Sequence, residues 1–250
     1  MYGTEQADIF ELMHKSRGKD YGAEAEEVAR RARLRKPDAD SLLDVACGTG
    51  AHLRYFADLF GHAEGLEMSE PMLALARKRL PARCVVHSGD MRAFRLGRTF
   101  DVVTCMFGSI GYAAGTAELE AALRSFAAHL VPGGVVAVDP WWFAETFQDG
   151  YVAGHVTQTD GRTVARVSHS ARAGDTCVMR VHYLVADARA GARHFAEEHT
   201  ISLFTREQYE TAFTSAGLSV EYVAGLNSGR GLFLGTLLDT AQDQHRPSAH

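Results

Sequence analysis

Two kinds of hydrophobic pattern follow one another along the first 140 residues. Short, largely apolar runs such as 41–46 and 100–106 alternate with segments such as 116–130, where apolar residues recur every three or four positions. The runs are typical of strands buried on both faces, and the longer period is typical of helices packed on a sheet. Five such alternations predict an α/β fold with a doubly wound, mostly parallel sheet. The predicted strands are 41–46, 63–67, 84–87, 100–106 and 135–139.

The period changes to two between residues 155 and 204. In 177–185 every second residue is apolar or aromatic, from Cys177 to Val185, and the polar Arg180 and His182 stand between them. The run 163–168 divides in the same way into Thr163, Ala165 and Val167 against Val164, Arg166 and Ser168, and Gly161 and Gly174 lie in the breaks between the runs. Alternating runs separated by glycine-containing turns are typical of antiparallel hairpins. This part of the chain is therefore predicted to form an antiparallel β insertion of three or four strands.

The chain thus divides into a core, an insertion and a tail. Thr205 begins a capping-box pattern, so a helix of the core is predicted to resume there. The last residues are polar and contain proline, which predicts disorder. The predicted segments are 1–150 with 205–238 for the α/β core, 151–204 for the insertion and 239–250 for the disordered tail.

Composition and charge restrict the class of protein. The 250 residues carry a formal net charge of −5, which lacks the basic footprint of a nucleic-acid-binding protein. No apolar stretch reaches the length of a membrane helix, and no apolar leader pattern is present at the N-terminus. The four cysteines have no CxxC spacing and the twelve histidines are scattered, so no metal site is predicted. We expect a cytoplasmic protein that binds neither nucleic acid nor membrane.

A glycine-rich loop, Asp44–Gly50, follows the first strand and leads into a helix. Gly48 and Gly50 can adopt positive φ angles and let a ligand approach the backbone, although an ordinary strand–helix turn would also use them. Glu67 and Asp90 end the second and third strands, where doubly wound sheets bind ligands. The first carboxylate could accept both hydroxyls of a ribose and the second could accept from an adenine amino group. The G-x-G-x-x-G spacing of nicotinamide enzymes is absent.

This combination resembles the class I S-adenosylmethionine-dependent methyltransferases, whose D/E-x-G-x-G-x-G loop corresponds to Asp44–Gly50 with Ala46 in the first glycine position. Over residues 2–236 the chain resembles the nucleotide-linked amino-sugar N,N-dimethyltransferases of desosamine- and mycaminose-type pathways. The motifs that carry this resemblance are Arg17–Tyr21, Leu42–Gly50, Gly89–Arg92, Met106–Phe107, Pro140–Phe143, Arg166–Ser170 and Ser228–Phe233. It implies N,N-dimethylation of a dTDP-amino-deoxyhexose with S-adenosylmethionine as the cofactor, and a homodimer formed through the insertion.

The resemblance also implies a donor site. Glu67 would hold the ribose hydroxyls, Asp90 and Met91 would face the adenine, and Tyr21 would lie near the methionine portion. As alternatives, Asp90 could cap a helix and the methionines could fill the core. The candidate donor-site residues are Tyr21, Ala46, Gly48, Gly50, Glu67, Asp90, Met91 and Met106.

A nucleotide diphosphate requires cationic partners, and a deoxysugar with its base requires apolar walls. Lysines at the surface could instead be solvated, and the run Trp141–Phe143 could form a packed hinge rather than a wall. Alternation places Arg166 and Ser168 on one strand face and His169 on the other, so these three cannot all point inward. The candidate acceptor-site residues are Lys15, Arg17, Lys19, Trp142, Ser168, Arg180 and Arg230.

Methyl transfer to an amine is an in-line displacement from an activated donor, so proximity and orientation can supply much of the rate. The amine must be neutral, and a base near it would help. The resemblance places Tyr2 and Tyr112 near the amine. Some relatives have histidine at the position of Tyr112, and because tyrosine is a poorer base, positioning is its expected role. His14 could act as a base by its chemistry, with a partly buried loop histidine as the alternative.

Two other functions are compatible with the same motifs. One is an O- or C-methyltransferase for a different small molecule, and the other is a donor-binding protein that has lost its chemistry. The sequence does not distinguish a 3-amino from a 4-amino sugar, or one methyl transfer from two.

Overall fold

The computed structural model describes residues 4–159, 161–226 and 229–238. Tyr2 and the tail predicted to be disordered, 239–250, lie outside the described residues. None of the described helices has the length and hydropathy needed to cross a membrane. In chain order the elements are α1 (Thr4–Ser16), α2 (Tyr21–Arg35), β1 (Ser41–Val45), α3 (Leu53–Leu59), β2 (His62–Glu67), α4 (Glu70–Arg79), β3 (Val85–Ser88), β4 (Phe100–Cys105), a short 3₁₀ helix (Ser109–Tyr112), α5 (Thr116–Ala127), β5 (Leu130–Val138), β6 (Tyr151–Thr159), β7 (Arg162–Ala173), β8 (Thr176–Asp187), β9 (Gly191–Ser202), α6 (Arg206–Ser215), β10 (Glu221–Val223) and β11 (Leu232–Thr236).

The core is a seven-stranded sheet in the order β10-β11-β5-β4-β1-β2-β3. β1 to β5 run parallel, and β10 and β11 add an antiparallel pair at one edge. The predicted doubly wound, mostly parallel fold is confirmed. The direction of strand order reverses between β1 and β4, and the carboxyl ends of these strands form the crevice where such sheets bind ligands.

The buried strands divide the core into two layers. Leu43 and Val103 pack with α5 and α6 on one face of the sheet, whereas Leu42 and Val102 pack with α2 and α3 on the other. Successive strand side chains point to opposite faces, so a run without polar residues fills both layers. This explains why the central strands are mostly apolar, with Asp44 in β1 and Asp101 and Thr104 in β4 as the polar exceptions.

The start of β5 differs from the prediction. The sequence predicts a helix to residue 130 and a strand from 135, with Pro132–Gly134 as the break between them. Instead α5 ends at Ala127 and β5 begins at Leu130. The break lies inside the strand as a bulge, where the register with β4 shifts. A bulge accommodates a proline that has no N–H to donate to the ladder.

The insertion is a separate four-stranded antiparallel sheet in the order β6-β7-β8-β9, as predicted. α1 covers part of its inner face, where Ile9 and Met13 pack against Val164, Val181 and Tyr183. The same helix packs against α4 of the core. α1 therefore connects the insertion to the core.

Candidate active site

A cavity of about 1140 Å³ lies between the carboxyl ends of the parallel strands and the inner face of the insertion. The loops after β1, β2, β3, β4 and β5 line one half of it, and β7, β8 and β9 line the other half. The segment between α1 and α2 lies beside both halves. The parallel sheet thus contributes its ligand-binding edge, and the insertion closes the opposite side.

Most of the predicted site residues line this cavity, and they come from both halves. Asp139, Arg166, Glu197 and His199 belong to the same region but were not selected from the sequence. The predicted residues that line the cavity are His14, Arg17, Lys19, Tyr21, Ala46, Gly48, Glu67, Asp90, Met91, Met106, Tyr112, Trp142, Ser168 and Arg230.

Three predicted residues lie elsewhere. Lys15 is in the last turn of α1 and forms an ion pair with Glu11 at 2.6 Å instead of facing the cavity. Arg180 lies on the outer face of β8, where its Nε is 2.7 Å from Glu198 Oε2. Gly50 packs against Leu80, the residue that follows α4, since a Cβ at position 50 would lie 2.9 Å from Leu80 Cδ1. Tyr2 lies outside the described residues, so its predicted role stays a prediction.

The loop after β1 turns through left-handed backbone conformations. Ala46 has φ 55° and Gly48 has φ 59°. Glycine adopts a positive φ without steric cost, but an alanine with a positive φ brings its Cβ close to the following carbonyl oxygen. Ala46 therefore carries backbone strain in the position where the family motif has glycine.

Replacement of Ala46 by glycine is expected to stabilise the protein by about 1 kcal/mol, because it removes this steric cost. Thermal unfolding should then shift upward by roughly 2–4 °C. Ala51 is a matched control because its φ is not positive, and Ala51→Gly should only lower stability through the entropy of the unfolded chain. A loss of stability in Ala46→Gly would contradict the assignment of strain.

Glu67 is held in a fixed orientation at the end of β2. Its Oε2 accepts the N–H of Gly48 at 2.9 Å, and its Oε1 accepts the N–H groups of Met68 at 2.9 Å and Ser69 at 2.7 Å. The glycine-rich loop and the start of the next helix thus position one carboxylate at the mouth of the cavity. Such a group can accept the hydroxyls of a sugar without moving.

Asp90 is likewise fixed, after β3. Its Oδ1 accepts the backbone N–H of Arg92 at 2.9 Å, and its Oδ2 is 2.5 Å from Arg92 Nη2. Hydrogen bonding to the guanidinium holds the pKa of Asp90 below its ordinary value. A turn follows rather than a helix, so the alternative role as a helix cap is not what the structure shows. Asp90 is a charged acceptor next to Met91.

Asp44, inside β1, is buried and has a different electrostatic character. Thr104 Oγ1 donates to its Oδ1 at 2.7 Å. Burial raises the pKa of Asp44 to about 7, the hydrogen bond from Thr104 opposes the rise, and the nearby Glu67 carboxylate adds to it. The folded protein therefore favours the protonated form of this carboxyl.

This shift fixes the sign of a pH effect. The unfolded carboxyl ionises near its ordinary pKa and the folded one only near 7, so stability should fall as pH rises from about 4 to 7. Three pKa units correspond to roughly 4 kcal/mol. The Asp44→Asn side chain cannot ionise, so its contribution to stability does not change with pH. Between about pH 4 and 7 the free energy of unfolding of Asp44→Asn, relative to that of the wild type, is therefore expected to rise by this amount, as measured by urea unfolding at several pH values. A wild-type-to-variant difference that does not change with pH would contradict the shift.

A buried ionic cluster supports the cavity floor. Asp139, just after β5, accepts the N–H of Phe107 at 2.9 Å and lies 3.2 Å from Arg230 Nη2. Burial raises its pKa, against the effects of Arg230 and Lys19. Lys19 Nζ is 2.6 Å from Glu24 Oε2 and 4.1 Å from the centre of the Phe107 ring. The strand-end rule that selected Glu67 would also have selected Asp139.

Arg166 on the inner face of β7 is the most unusual charge of the site. It is buried, and its Nη1 donates to Ser168 Oγ at 2.9 Å. Within the described parts of the chain its guanidinium contacts Ser168 and Met179 but no carboxylate, and its Nε has no hydrogen-bond partner. A buried cation without an anion is costly unless a ligand supplies the negative charge. Arg166 therefore points to an anionic ligand.

His14 lies in this cationic region. Burial is the largest cause that lowers its pKa to about 3, and Arg166, Arg17, Lys19 and Arg230 lower it further. The imidazole is neutral at physiological pH and a poor proton acceptor. The structure thus brings His14 to the cavity but opposes the predicted role as a general base.

A second histidine of the cavity, His199, lies on β9, a strand with no predicted site residue. His199 Nδ1 is 2.9 Å from the hydroxyl of Tyr112, and its Nε2 is 3.2 Å from Glu197 Oε2. Glu197 and His199 are two positions apart and share the inner face of the insertion. The period of two could have revealed this pair, but only once the inward face was known.

The comparisons with known proteins agree with this geometry. The family model described as "Methyltransferase domain" matches residues 42–134. The chain is 58% identical to the dTDP-3-amino-3,4,6-trideoxy-alpha-D-glucopyranose N,N-dimethyltransferase of Streptomyces venezuelae, over 94% of this chain and 99% of the relative. It is 44% identical to the dTDP-4-amino-2,3,4,6-tetradeoxy-D-glucose N,N-dimethyltransferase of Saccharopolyspora spinosa, over 94% of each chain.

Solved structures give the same result. DesVI of Streptomyces venezuelae superposes with a TM-score of 0.90 at 58% identity, over 94% of this chain and 99% of that one. The SAM-bound amino pentose methyltransferase of Micromonospora echinaspora, involved in calicheamicin biosynthesis, gives 0.85 at 51% identity, over 92% and 96%. The predictions of methyltransferase activity and of S-adenosylmethionine as methyl donor are confirmed. The chain belongs to the family of S-adenosylmethionine-dependent N,N-dimethyltransferases of dTDP-linked amino-deoxysugars.

Proposed function

We propose that this protein transfers two methyl groups in succession to the amine of a dTDP-amino-deoxyhexose, as a step in the biosynthesis of an antibiotic. The observation that carries the proposal is that the fixed carboxylates Glu67 and Asp90 and the buried Arg166, whose Nε has no hydrogen-bond partner among the described residues, line one cavity. One half of the cavity suits a cationic nucleoside donor, and the other suits an acceptor that carries phosphate groups.

The donor half fits S-adenosylmethionine, which supplies an activated methyl group on a sulfonium. Glu67 is oriented to accept the ribose hydroxyls, and Asp90 with Met91 lies where the adenine would be bound. The hydroxyl of Tyr21 is a buried polar atom with no hydrogen-bond partner among the described residues. We assign it, with the nearby Lys19, to the methionine portion, whose ammonium and carboxylate groups would satisfy both.

The acceptor half fits a nucleotide diphosphate. Arg17, Arg166 and Arg230 line the cavity, and a guanidinium group can bind two phosphate oxygens at once. Trp141 and Trp142 supply apolar surface beside them, whereas Phe143 packs into the core. We propose that the arginines bind the diphosphate and the tryptophans contact the sugar or the base.

The test is mass spectrometry of the products formed from S-adenosylmethionine and a matched pair of 3-amino and 4-amino dTDP-sugars. We expect the addition of two methyl groups to nitrogen for one member of the pair, with a monomethylated intermediate at early times. Methylation of oxygen or carbon would favour the alternative methyltransferase. Donor binding without turnover of any amino sugar would support a protein that has lost its chemistry.

We further propose a homodimer formed through the outer face of the insertion sheet. Four apolar side chains on this face are more than half exposed, namely Val152, Val156, Val167 and Leu184. A cluster of this kind on a sheet face is typical of an interaction surface. Light scattering should give the mass of two chains, and a double substitution of Val167 and Leu184 by glutamate should give that of one.

We also propose a cytoplasmic location. All four cysteines are free thiols, and three of them are buried. Unpaired thiols are compatible with a reducing compartment.

A further inference from the structure

Tyr112, His199 and Glu197 form a hydrogen-bonded chain in the wall of the cavity. The hydroxyl of Tyr112 is 2.9 Å from His199 Nδ1, and His199 Nε2 is 3.2 Å from Glu197 Oε2. Tyr112 belongs to the 3₁₀ helix that follows β4, and this helix packs against β9, which carries the other two residues. This series of hydrogen bonds therefore crosses from the donor half of the cavity to the acceptor half.

The partners determine which way the hydrogen bonds run. A carboxylate can only accept, so Nε2 of His199 carries the hydrogen that Glu197 receives. Nδ1 is then the acceptor, and the hydroxyl of Tyr112 donates to it. The phenol oxygen can accept a further hydrogen bond on the cavity side. The His199 and Glu197 side chains are only 10% and 9% exposed, which strengthens such a network.

We propose that Tyr112, His199 and Glu197 form a relay that removes the proton from the ammonium group of the acceptor before each methyl transfer. This inference rests on the proposed function. The N–H bond of the ammonium breaks, and the proton moves to the oxygen of Tyr112 while the hydroxyl proton of Tyr112 moves to His199 Nδ1. The nitrogen keeps the electron pair that attacks the methyl group. The imidazolium is paired with Glu197, and the proton later leaves through Tyr112, which is 45% exposed.

Within the relay, Tyr112 can accept the proton of the ammonium group, which a phenol alone is too weak a base to remove. A phenol is a poor base near neutral pH, but here it exchanges one proton for another and stays neutral. His14 cannot substitute, because four cations surround it and its pKa is about 3. The relay histidine instead contacts a carboxylate. The same three residues would serve the second transfer, since the monomethylated product again carries an ammonium proton.

Other charged and titratable groups also face this network. Tyr183 of β8 lies near Glu197, and burial raises its pKa, as does the Glu197 carboxylate. Arg166 of β7 and Arg17 lie near Tyr183 and act in the opposite sense. The direct partner of His199 on this wall is the Glu197 carboxylate, 3.2 Å from its Nε2.

The test is the pH dependence of methylation by the variants His199→Ala, Glu197→Gln and Tyr112→Phe. At pH 7 we expect kcat of His199→Ala to fall about 100-fold, as is typical of a lost general base. The KM values of both substrates should change little. The deficit should shrink as pH rises towards the pKa of the sugar ammonium, because solvent then supplies the neutral amine. Added imidazole should restore part of the activity of His199→Ala.

Controls separate chemistry from folding. His87→Ala removes another carboxylate-paired histidine, 2.7 Å from Glu64 and outside the cavity, and should keep wild-type kcat at every pH. Donor affinity measured by calorimetry should be unchanged in all variants. Because relay members act as a unit, Tyr112→Phe combined with His199→Ala should be no slower than His199→Ala alone.

Two results would overturn the relay. One is a His199→Ala enzyme with wild-type kcat at pH 7, and the other is a loss of activity of the same size at every pH. If the wild-type enzyme methylates no dTDP-amino sugar, the proposed function fails and the relay fails with it. If the wild type turns over and the variants match it, the relay alone fails.

Discussion

Replacing Arg166 by methionine is expected to raise the KM for the dTDP-amino sugar roughly 10- to 100-fold, the effect of losing a charged hydrogen bond to a phosphate. The same change should leave the KM for the donor near the wild-type value, because Arg166 belongs to the insertion half of the cavity. It should also raise the free energy of unfolding in the absence of ligand, since a buried guanidinium without a carboxylate partner is replaced by an apolar side chain of similar length. Steady-state kinetics and urea unfolding measure the two effects separately.

The opposite signs on binding and on stability distinguish a ligand-binding arginine from a structural one. Arg124→Met is the matched control, since Arg124 is exposed on α5 and paired with Glu120 at 3.1 Å, away from the cavity. It should change neither KM nor stability by much. An Arg166→Met protein that is less stable and keeps its acceptor KM would show that Arg166 serves the fold instead.

Replacing Asp139 by alanine is expected to lower the free energy of unfolding by about 3–5 kcal/mol, because it leaves the buried charge of Arg230 uncompensated. The N–H of Phe107 would lose its acceptor as well. For a chain of this size the loss corresponds to a fall in melting temperature of roughly 10 °C. Differential scanning calorimetry of the unliganded protein measures it.

A double-mutant cycle identifies the cause of that loss. Arg230→Met removes the charge that Asp139 neutralises, so Asp139→Ala should be much less damaging in the Arg230→Met background than in the wild type. Additive losses would mean that Asp139 stabilises the fold through Phe107 alone. The Asp139 and Arg230 atoms in question are 3.2 Å apart, well within the range where substitutions interact.

The donor half of the site was largely predictable, because its residues follow rules of chain order. Parallel strands all end at one edge of the sheet, so acids at the ends of the second and third strands had to lie near the glycine-rich loop. Glu67 and Asp90 are found there. The same rule applies to Asp139, which follows the fifth strand, but its partner Arg230 is 91 residues away and nothing local connects the two.

The acceptor half was less predictable because alternation defines two faces of a strand without saying which one points inward. Arg166 and Ser168 share a face, as expected, and that face lines the cavity. Arg180 stands on the neighbouring strand opposite His169, on the face turned outward. Which face points inward depends on where α1 packs, because Ile9 and Met13 of that helix contact Val164, Val181 and Tyr183 on the inner face. Local pattern cannot contain that information.

Signals for helix ends were also overridden in one place. Pro132–Gly134 is a strong break in sequence terms, yet the pairing of β4 with β5 continues on both sides of it. The ladder and the buried side chains of β5 outweigh the local preference, and the break is absorbed as a bulge. Local helix and strand propensities determine secondary structure where tertiary contacts are few, and tertiary contacts override them where such contacts are many.

The position of α1 has a consequence for a reaction that runs twice. Glu11 on this helix approaches the glycine-rich loop, with its Oε2 3.3 Å from Thr49 Oγ1, and also reaches α4 through Arg79 at 2.8 Å. The opposite side of the helix holds the inner face of the insertion. A spent donor is exchanged for a fresh one between two transfers, and α1 contacts the donor loop, α4 and the insertion sheet alike. A substitution that weakens the packing of α1 is therefore expected to affect donor binding and retention of the monomethylated sugar together.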